Sequence, residues 1–577
     1  MTFKPTGFAA KIFSERHAFT LEETWEEAIK RVSSQVAKAE KGDKQKEVKE
    51  MFSDMLLANY FMPGGRIWYG AGKARPNLMN CFVIPCSDSR EGWGKLVSDN
   101  IIISGLGGGI GTSFNPIRPK NAEIKGTGGT SSGSVSLMRI IDATASEIKG
   151  GGSRRAALMM SLRYDHPDIH EFLSSKLDLA NLNNANISIE IDDKFIDAVE
   201  NDEEIVMEFG EKAHSSYRAR DLFNKVMDNA IKNGEPGFLN LGLANKMNNL
   251  YYIAPIISTN PCGELPMAAY QSCCLGSLVL TRFVRSNGEF DFQKLADVIP
   301  VAVRFLDNVL DVNYYPLKEI EVETKKFRRI GLGVMGLHDM LLKMGLKYTS
   351  EEGHKFVDKL MNFIKKKSYE SSTYLAVEKG SFAGLNRDLY LKGNFIKTLS
   401  PSIKTKISQY GIRNCALGTI APTGTTGIVS GVSGGIEPLF SYAYRRRYFQ
   451  GEGENTEVVI HPLFEEFVNE NKDVSHFETA HEIKPEDHIK MQVVCQKHVD
   501  GAISKSVNLP KDFTAEDMKP ILLKYIRELK GITVYRDGSR GESPMTPMSI
   551  EDAKKWVKKE HVTASKEKDC AGGKCNL

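Results

Sequence analysis

The stretch Asn260-Pro261-Cys262-Gly263-Glu264, followed seven residues later by Gln271-Ser272-Cys273-Cys274-Leu275-Gly276-Ser277-Leu278-Val279-Leu280, sets the reading of the whole chain. Pro261 and Gly263 bracket a cysteine, which places the thiol at a tight turn rather than inside a helix or strand. A carboxylate stands two residues after it and an amide two residues before. A turn with an incidental cysteine would account for the pentapeptide by itself. The second segment shifts the balance, because it reads as a strand and Cys273 lies eleven residues after Cys262. A loop of that length can rise to a tip and return, bringing both thiols near one pocket. Only one of Cys273 and Cys274 can face a given side of a strand, since successive side chains alternate.

Upstream, residues 61–180 are rich in glycine: PGGR at Pro63–Arg66, SGLGGGIG at Ser104–Gly111 and KGGGSRRA at Lys149–Ala156. Short apolar runs such as CFVIP and NIIIS lie between them, an α/β texture with functional loops at element ends. SGLGGGIG would let a nucleotide approach the backbone closely. It is not a dinucleotide fingerprint, because Ile110 stands where the last glycine belongs, and no phosphate-loop motif occurs elsewhere. Downstream, Ala421-Pro422-Thr423-Gly424-Thr425-Thr426-Gly427 puts hydroxyls and free amides at a possible helix start. That is a place for phosphate, or a capped helix without a ligand. Thr20 and Glu23 have the spacing of a capping box, so 20–60 is expected to be mostly helical, with a solvated turn near KGDKQK. Residues 214–250, 290–312 and 319–378 also read as helical. There is no internal repeat.

The 577 residues are 41% hydrophobic and 26% charged, an ordinary globular balance. A net charge of +3 implies no polyanion partner, so no nucleic acid is expected. The first residues lack the apolar core of a signal peptide and no apolar run is long enough for a membrane span, so a cytoplasmic protein with no membrane contact is expected. Nine cysteines over this length do not form the disulfide framework of a secreted protein. After about 545 the chain turns polar and is expected to be mobile. Cys570 and Cys575 lie there with only His561 nearby, too few ligands for a structural zinc, so no metal is expected. A thiol pair on a tail suits thiol–disulfide exchange.

NPCGE followed by SCCLGS resembles the finger loop and adjoining strand of the ribonucleotide reductases. The resemblance covers roughly residues 50–545 and the tail. It looks like the adenosylcobalamin-dependent class in RRAALMMSLRYDHPDIHEF at 154–172, QKHVDGAISKSVNLP at 496–510 and KGITVYRDGSR at 530–540. It implies a ten-stranded α/β barrel of two five-stranded halves with a central finger loop over 61–545, an N-terminal helical segment over 1–60 and a redox tail over 546–577. It also implies roles. Cys262 carries a thiyl radical, Glu264 is the general base, Asn260 orients the ribose hydroxyls, and Cys81 with Cys273 forms the reducing pair. Cys570 and Cys575 recycle that pair with a thioredoxin- or glutaredoxin-like partner. Asn80, Gly109, Pro422, Thr423, Gly424, Thr425 and Thr426 hold the ribonucleotide, di- or triphosphate being left open. Asp88 and Arg118 bind a deoxynucleotide effector at a homodimer interface, and Lys149–Ala156 carries effector information to the substrate base.

The implied cofactor is adenosylcobalamin. Cys274 stands where the family commonly has asparagine and reads as a small buried residue on the strand's other face. Cys86, Cys415 and Cys495 read as structural. One rival is a catalytic subunit served by a separate radical-generating protein. That class carries an adjacent tyrosine pair late in the chain, where this sequence has the single Tyr535. The pairs Tyr251-Tyr252 and Tyr314-Tyr315 read as core packing. The other rival is a non-catalytic nucleotide-binding regulatory protein. Neither a glycyl-radical motif nor a segment resembling the ATP-cone is found.

Overall fold

The computed structural model describes residues 2–126, 128–148, 157–177, 182–450, 453–539 and 545–558. Three helices open the chain: α1 (Gly7–Arg16), α2 (Trp25–Ala37) and α3 (Asp43–Leu57). The capping box forms at Thr24 and Glu27, not at Thr20 and Glu23. Both pairs have the spacing, but only the second directly precedes the apolar stripe Trp25, Ala28, Ile29, Val32 and Val36, which is buried. Glu23 instead pairs with Arg31 at 2.6 Å. A short helix α4 (Gly65–Gly70) carries Trp68, which stacks on Trp25 with ring centroids 4.9 Å apart.

Ten strands form one sheet: β1 (Phe61–Pro63), β2 (Cys81–Val83), β3 (Gly109–Ser113), β4 (Leu158–Arg163), β5 (Ala185–Ile191), β6 (Gly237–Asn240), β7 (Ser272–Val279), β8 (Ile330–Met335), β9 (Ser506–Leu509) and β10 (Gly531–Arg536). Strands β2 to β6 run parallel in sequence order, the first half. In the second half β7 pairs parallel with β8, and β9 with β10. The gap between β8 and β9 is spanned by Gly418–Ile420, through parallel bridges Leu332 to Gly418 and Ile420 to Ile503. That segment is the fifth stave of the second half, and β1 is added antiparallel on β7. The halves meet antiparallel at both seams, β2 against β7 and β6 against β10. The expected barrel of two five-stranded halves is therefore what the chain builds.

Strands β6 and β8 fall inside segments whose sequence reads as helical. Both are buried along their whole length. A strand covered on two faces shows no alternation to distinguish it from a buried helix. Residues 212–218 are also strand, paired with Glu204–Phe209.

Met545–Pro547 pairs with Ala443–Gln450, and Ala553 and Val557 are buried with Leu439, Tyr442 and Phe464. The first residues of the 546–577 stretch thus belong to the fold. Cys570, Cys575 and the Lys149–Ala156 loop lie outside the described residues. Among the described residues, no helix is long and apolar enough to cross a membrane.

Candidate active site

The connection from the first half to the second passes through the barrel interior. Ser258–Thr259 and Pro266–Met267 pair antiparallel at its base, and residues 260–265 form its tip. It runs so close to β3 that a Cβ on Gly111 would lie 1.6 Å from the carbonyl oxygen of Thr259, so only glycine fits there. At the tip Gly263 has φ +82°, a left-handed turn, and its amide donates to the Asn260 carbonyl at 3.0 Å.

Asn260 is fully buried and ties the loop to β2: its Oδ1 accepts from the Leu265 amide at 2.9 Å, and its Nδ2 donates to Cys81 Sγ at 3.2 Å. Thr419 Oγ1 and the Ala502 amide donate to the Glu264 carbonyl, at 2.5 and 2.9 Å. Asn186 Nδ2, on β5, donates to the Pro261 carbonyl at 3.0 Å. Both halves of the barrel therefore grip the loop. Cys262 is exposed at its tip, while the Glu264 side chain is buried.

In the seam between β2 and β7, Cys81 stands directly opposite Cys273. Opposed residues of an antiparallel ladder have Cα atoms about 4.5–5.5 Å apart, within the span of a disulfide. Burial pushes the Cys273 thiol well above its ordinary range, with Cys274 adding to the effect, so Cys273 keeps its proton. Cys274 points the other way and donates to the Leu306 carbonyl at 3.2 Å, in the main core. Cys86, Cys415 and Cys495 are buried. Burial pushes Cys86 up to about 12 and Cys415 to about 11, so neither is a ready nucleophile.

A cavity of about 430 Å³ lies on one flank of the loop. Its wall joins Asn260, Cys262 and Glu264 to Asn80 and Cys81, to Gly109, and to Pro422–Thr426. Every expected substrate and catalytic residue lines it except Cys273, which is buried opposite Cys81 in the ladder. The Asn80 Oδ1 is buried with no hydrogen-bond partner among the described residues. Pro422–Thr426 leads into helix α5 (Gly424–Ser430), whose first amides have no intrahelical acceptor.

A second cavity of about 300 Å³ lies on the other flank and shares Pro261, Cys262 and Pro422 with the first. Its wall comes from β4, β5, β6 and β10 and from Glu437 and Ser504–Ser506. The Lys505 side chain is wholly buried there, donating to Glu437, to His488 Nδ1 at 3.0 Å and to the Ser506 carbonyl at 2.8 Å. Burial lowers the Lys505 pKa, and the Glu437 carboxylate opposes that shift.

Away from both cavities, Arg118 Nε donates to Asp88 Oδ2 at 2.7 Å in a half-exposed pair. Nearby helices Arg90–Gly105 and Ser134–Glu147 pack together and leave Ile101, Ile102 and Ile140 exposed.

Asn186 and Thr419 are contributors that the sequence reading passes over. Thr419 is a single hydroxyl in the largely apolar run Ala416–Ala421, and Asn186 is one of four asparagines within residues 181–186, so no local signal singles out either.

A family model described as the ribonucleotide reductase barrel domain matches residues 79–535, and the reductase all-alpha domain matches residues 3–76. The chain belongs to the ribonucleotide reductase large-subunit family. A vitamin B12-dependent ribonucleoside-diphosphate reductase of Thermoplasma acidophilum is 36% identical over 566 residues, covering 91% of this chain and 71% of that protein. The protein of the same description from Mycobacterium tuberculosis (strain CDC 1551 / Oshkosh) is 33% identical over 520 residues, covering 85% of this chain and 72% of its own. A ribonucleoside-diphosphate reductase large subunit of Variola virus is 29% identical over 503 residues, covering 80% and 63%.

Proposed function

We propose that the chain reduces ribonucleoside diphosphates to 2′-deoxyribonucleotides, with adenosylcobalamin as the source of the radical. The observation that carries this reading is the position of Cys262, exposed in the wall of two cavities at once. One cavity holds the thiols, the carboxylate and the phosphate segment. The other leaves room for a radical source on the far flank of the same sulfur. The names of the two most similar relatives quoted above support both the cofactor and the diphosphate.

The second cavity suits the nucleoside end of the cofactor. The Glu437 carboxylate, held by the buried Lys505, and the Ser504–Ser506 segment would accept and donate hydrogen bonds to a ribose. When bound there, the cofactor would supply the radical chemistry, and Cys262 would hold the resulting thiyl radical.

In this mechanism Cys262 Sγ removes the 3′-hydrogen atom of the substrate, and Glu264 accepts the proton of the 3′-hydroxyl. Asn260 and Asn80 orient the hydroxyls, the free Asn80 Oδ1 being an acceptor for one of them. A proton from the Cys81/Cys273 pair lets the 2′-oxygen leave as water. The pair then supplies two electrons and its second proton: a hydrogen atom forms the C2′–H bond, the other electron with the proton returned from Glu264 restores the 3′-hydroxyl, the pair closes to a disulfide, and the Cys262 S–H returns its hydrogen atom to C3′. The division of the chain follows the chemistry, with a helical segment, a catalytic barrel, and a tail whose Cys570 and Cys575 reduce the disulfide with a dithiol partner. The Asp88–Arg118 pair binds the effector. The exposed isoleucines of the two adjoining helices bury against a second copy of the chain.

Tyr535 also lines the second cavity, which favours one other reading: a radical delivered through it from a separate subunit. The test is reduction of CDP and CTP by the full chain with dithiothreitol, with and without adenosylcobalamin. Turnover only with the cofactor, and faster with CDP, is expected. Turnover that ignores the cofactor and appears only on adding a radical-generating protein would overturn the reading.

A further inference from the structure

The first cavity does not end at the phosphate segment. Its wall continues to Glu15, Arg16 and His17, at the end of α1, and to Arg66 of α4. Apolar packing fixes α1 there. Ile12 and Phe13 are buried, and Phe13 meets the Trp25 and Trp68 rings edge-on, with centroids 5.2 and 6.4 Å away. The His17 ring lies against Gly65, where an added Cβ would come within 2.9 Å of its Cε1. The same helix packs on α5, which begins at the phosphate segment.

The two arginines of this wall differ. Arg66 donates to the Leu106 carbonyl and so braces the glycine run. Arg16 is exposed. A cation in the last turn of a helix complements its dipole wherever the helix lies. Both arginines share the wall with Thr423–Thr426, Arg66 as a buried side chain and Arg16 as an exposed one.

We propose that Arg16 binds the terminal phosphate of the substrate, so that the N-terminal helix completes the nucleotide site and selects for a phosphate beyond the first. The inference rests on the proposed reductase reading for the identity of the nucleotide. A guanidinium offers two parallel donors to a phosphate, and such charge-assisted bonds are stronger than neutral ones.

Calorimetric titration of the full chain with CDP and with CMP, without cofactor, tests it. Arg16→Gln is expected to weaken CDP about tenfold, the worth of one such bond, and to shift CMP by less than about twofold. Arg16→Lys, which keeps the charge but not the two parallel donors, should recover only part of the CDP affinity. Glu15→Gln, which removes the adjacent carboxylate, should tighten CDP. In turnover Arg16→Gln should raise the KM for CDP with a much smaller change in kcat. An unchanged CDP affinity in Arg16→Gln, or equal losses for CDP and CMP in a variant with the parent thermal midpoint, would overturn the proposal. Failure of the parent chain to reduce CDP would count against the reductase reading and leave the titration to decide Arg16.

Discussion

The two cavities beside Cys262 are built on opposite principles. The first takes its functional groups from a few contiguous motifs: residues 260–264, residues 80–81, Gly109 and residues 422–426. The second draws on strands from both halves, with runs of three to five residues from β5, β6 and β10, and has the buried Lys505 paired with Glu437 as its charged feature. On the proposed function, the difference follows from what each flank would have to do. Chemistry on a ribose needs thiols, a carboxylate and an amide at fixed mutual positions, which short rigid turns provide. Housing a large group needs a shaped void, which many residues can line.

If that contrast is right, substitutions on the two flanks should separate. The largest effect is expected at the shared sulfur. Cys262→Ser should lower CDP turnover by at least about a thousandfold while calorimetry still detects CDP, because a hydroxyl cannot replace the thiol as radical carrier. Appreciable turnover in that variant would remove the reason for treating the cavities as one machine. Next, Ser506→Trp should partly fill the second cavity. It should raise the adenosylcobalamin concentration needed for half-maximal turnover by about tenfold or more, with little change in CDP affinity. A parallel loss of CDP binding would show that the cavities are not independent.

A smaller effect is expected from Asn186→Ala, which removes the bond from β5 to the Pro261 carbonyl. A loop tip displaced by a fraction of an ångström should cost about tenfold in kcat with little change in stability. Equal kcat in the variant would mean that Thr419 and Ala502 suffice to hold the loop. The smallest effect concerns pH. His488 accepts from Lys505, and burial, reinforced by that ammonium, lowers its pKa to about 2. The folded state thus resists protonating it while the unfolded chain accepts a proton near the ordinary value of 6.5. Stability should be complete above about pH 6.5 and decline as pH falls below it, by about 1 kcal/mol at pH 5.5 from this group. Urea midpoints at pH 7.5 and 5.5 would measure the decline, and His488→Asn should remove this group's share of it, while His338, lowered by burial to about 4, keeps its own.

Legibility follows the same division. The motif residues at 260–264 and 422–426 stood out because they sit beside glycine or proline, where the backbone leaves regular structure, whereas Asn80, Cys81 and Cys273 have no such neighbour. Alternation along a strand also separates Cys273 from Cys274, and the two do face the seam and the core respectively. The misplaced helix start at Thr20 shows how far local signals reach. Two capping boxes lay four residues apart, and the buried stripe that follows chose between them. Strands β6 and β8 were hidden because burial on both faces erases the period-two pattern.

The sequence by itself determined the turn at Cys262, the family pattern around it and the phosphate-segment chemistry, because these depend on residue types at short, fixed spacings. Only the tertiary structure decided that Cys81 stands opposite Cys273, that residues 418–420 close the barrel, and that Cys262 opens to two cavities. It also decided that α1 reaches the first of them. Those facts depend on strand register and on packing between segments hundreds of residues apart, and neither is encoded in any local pattern.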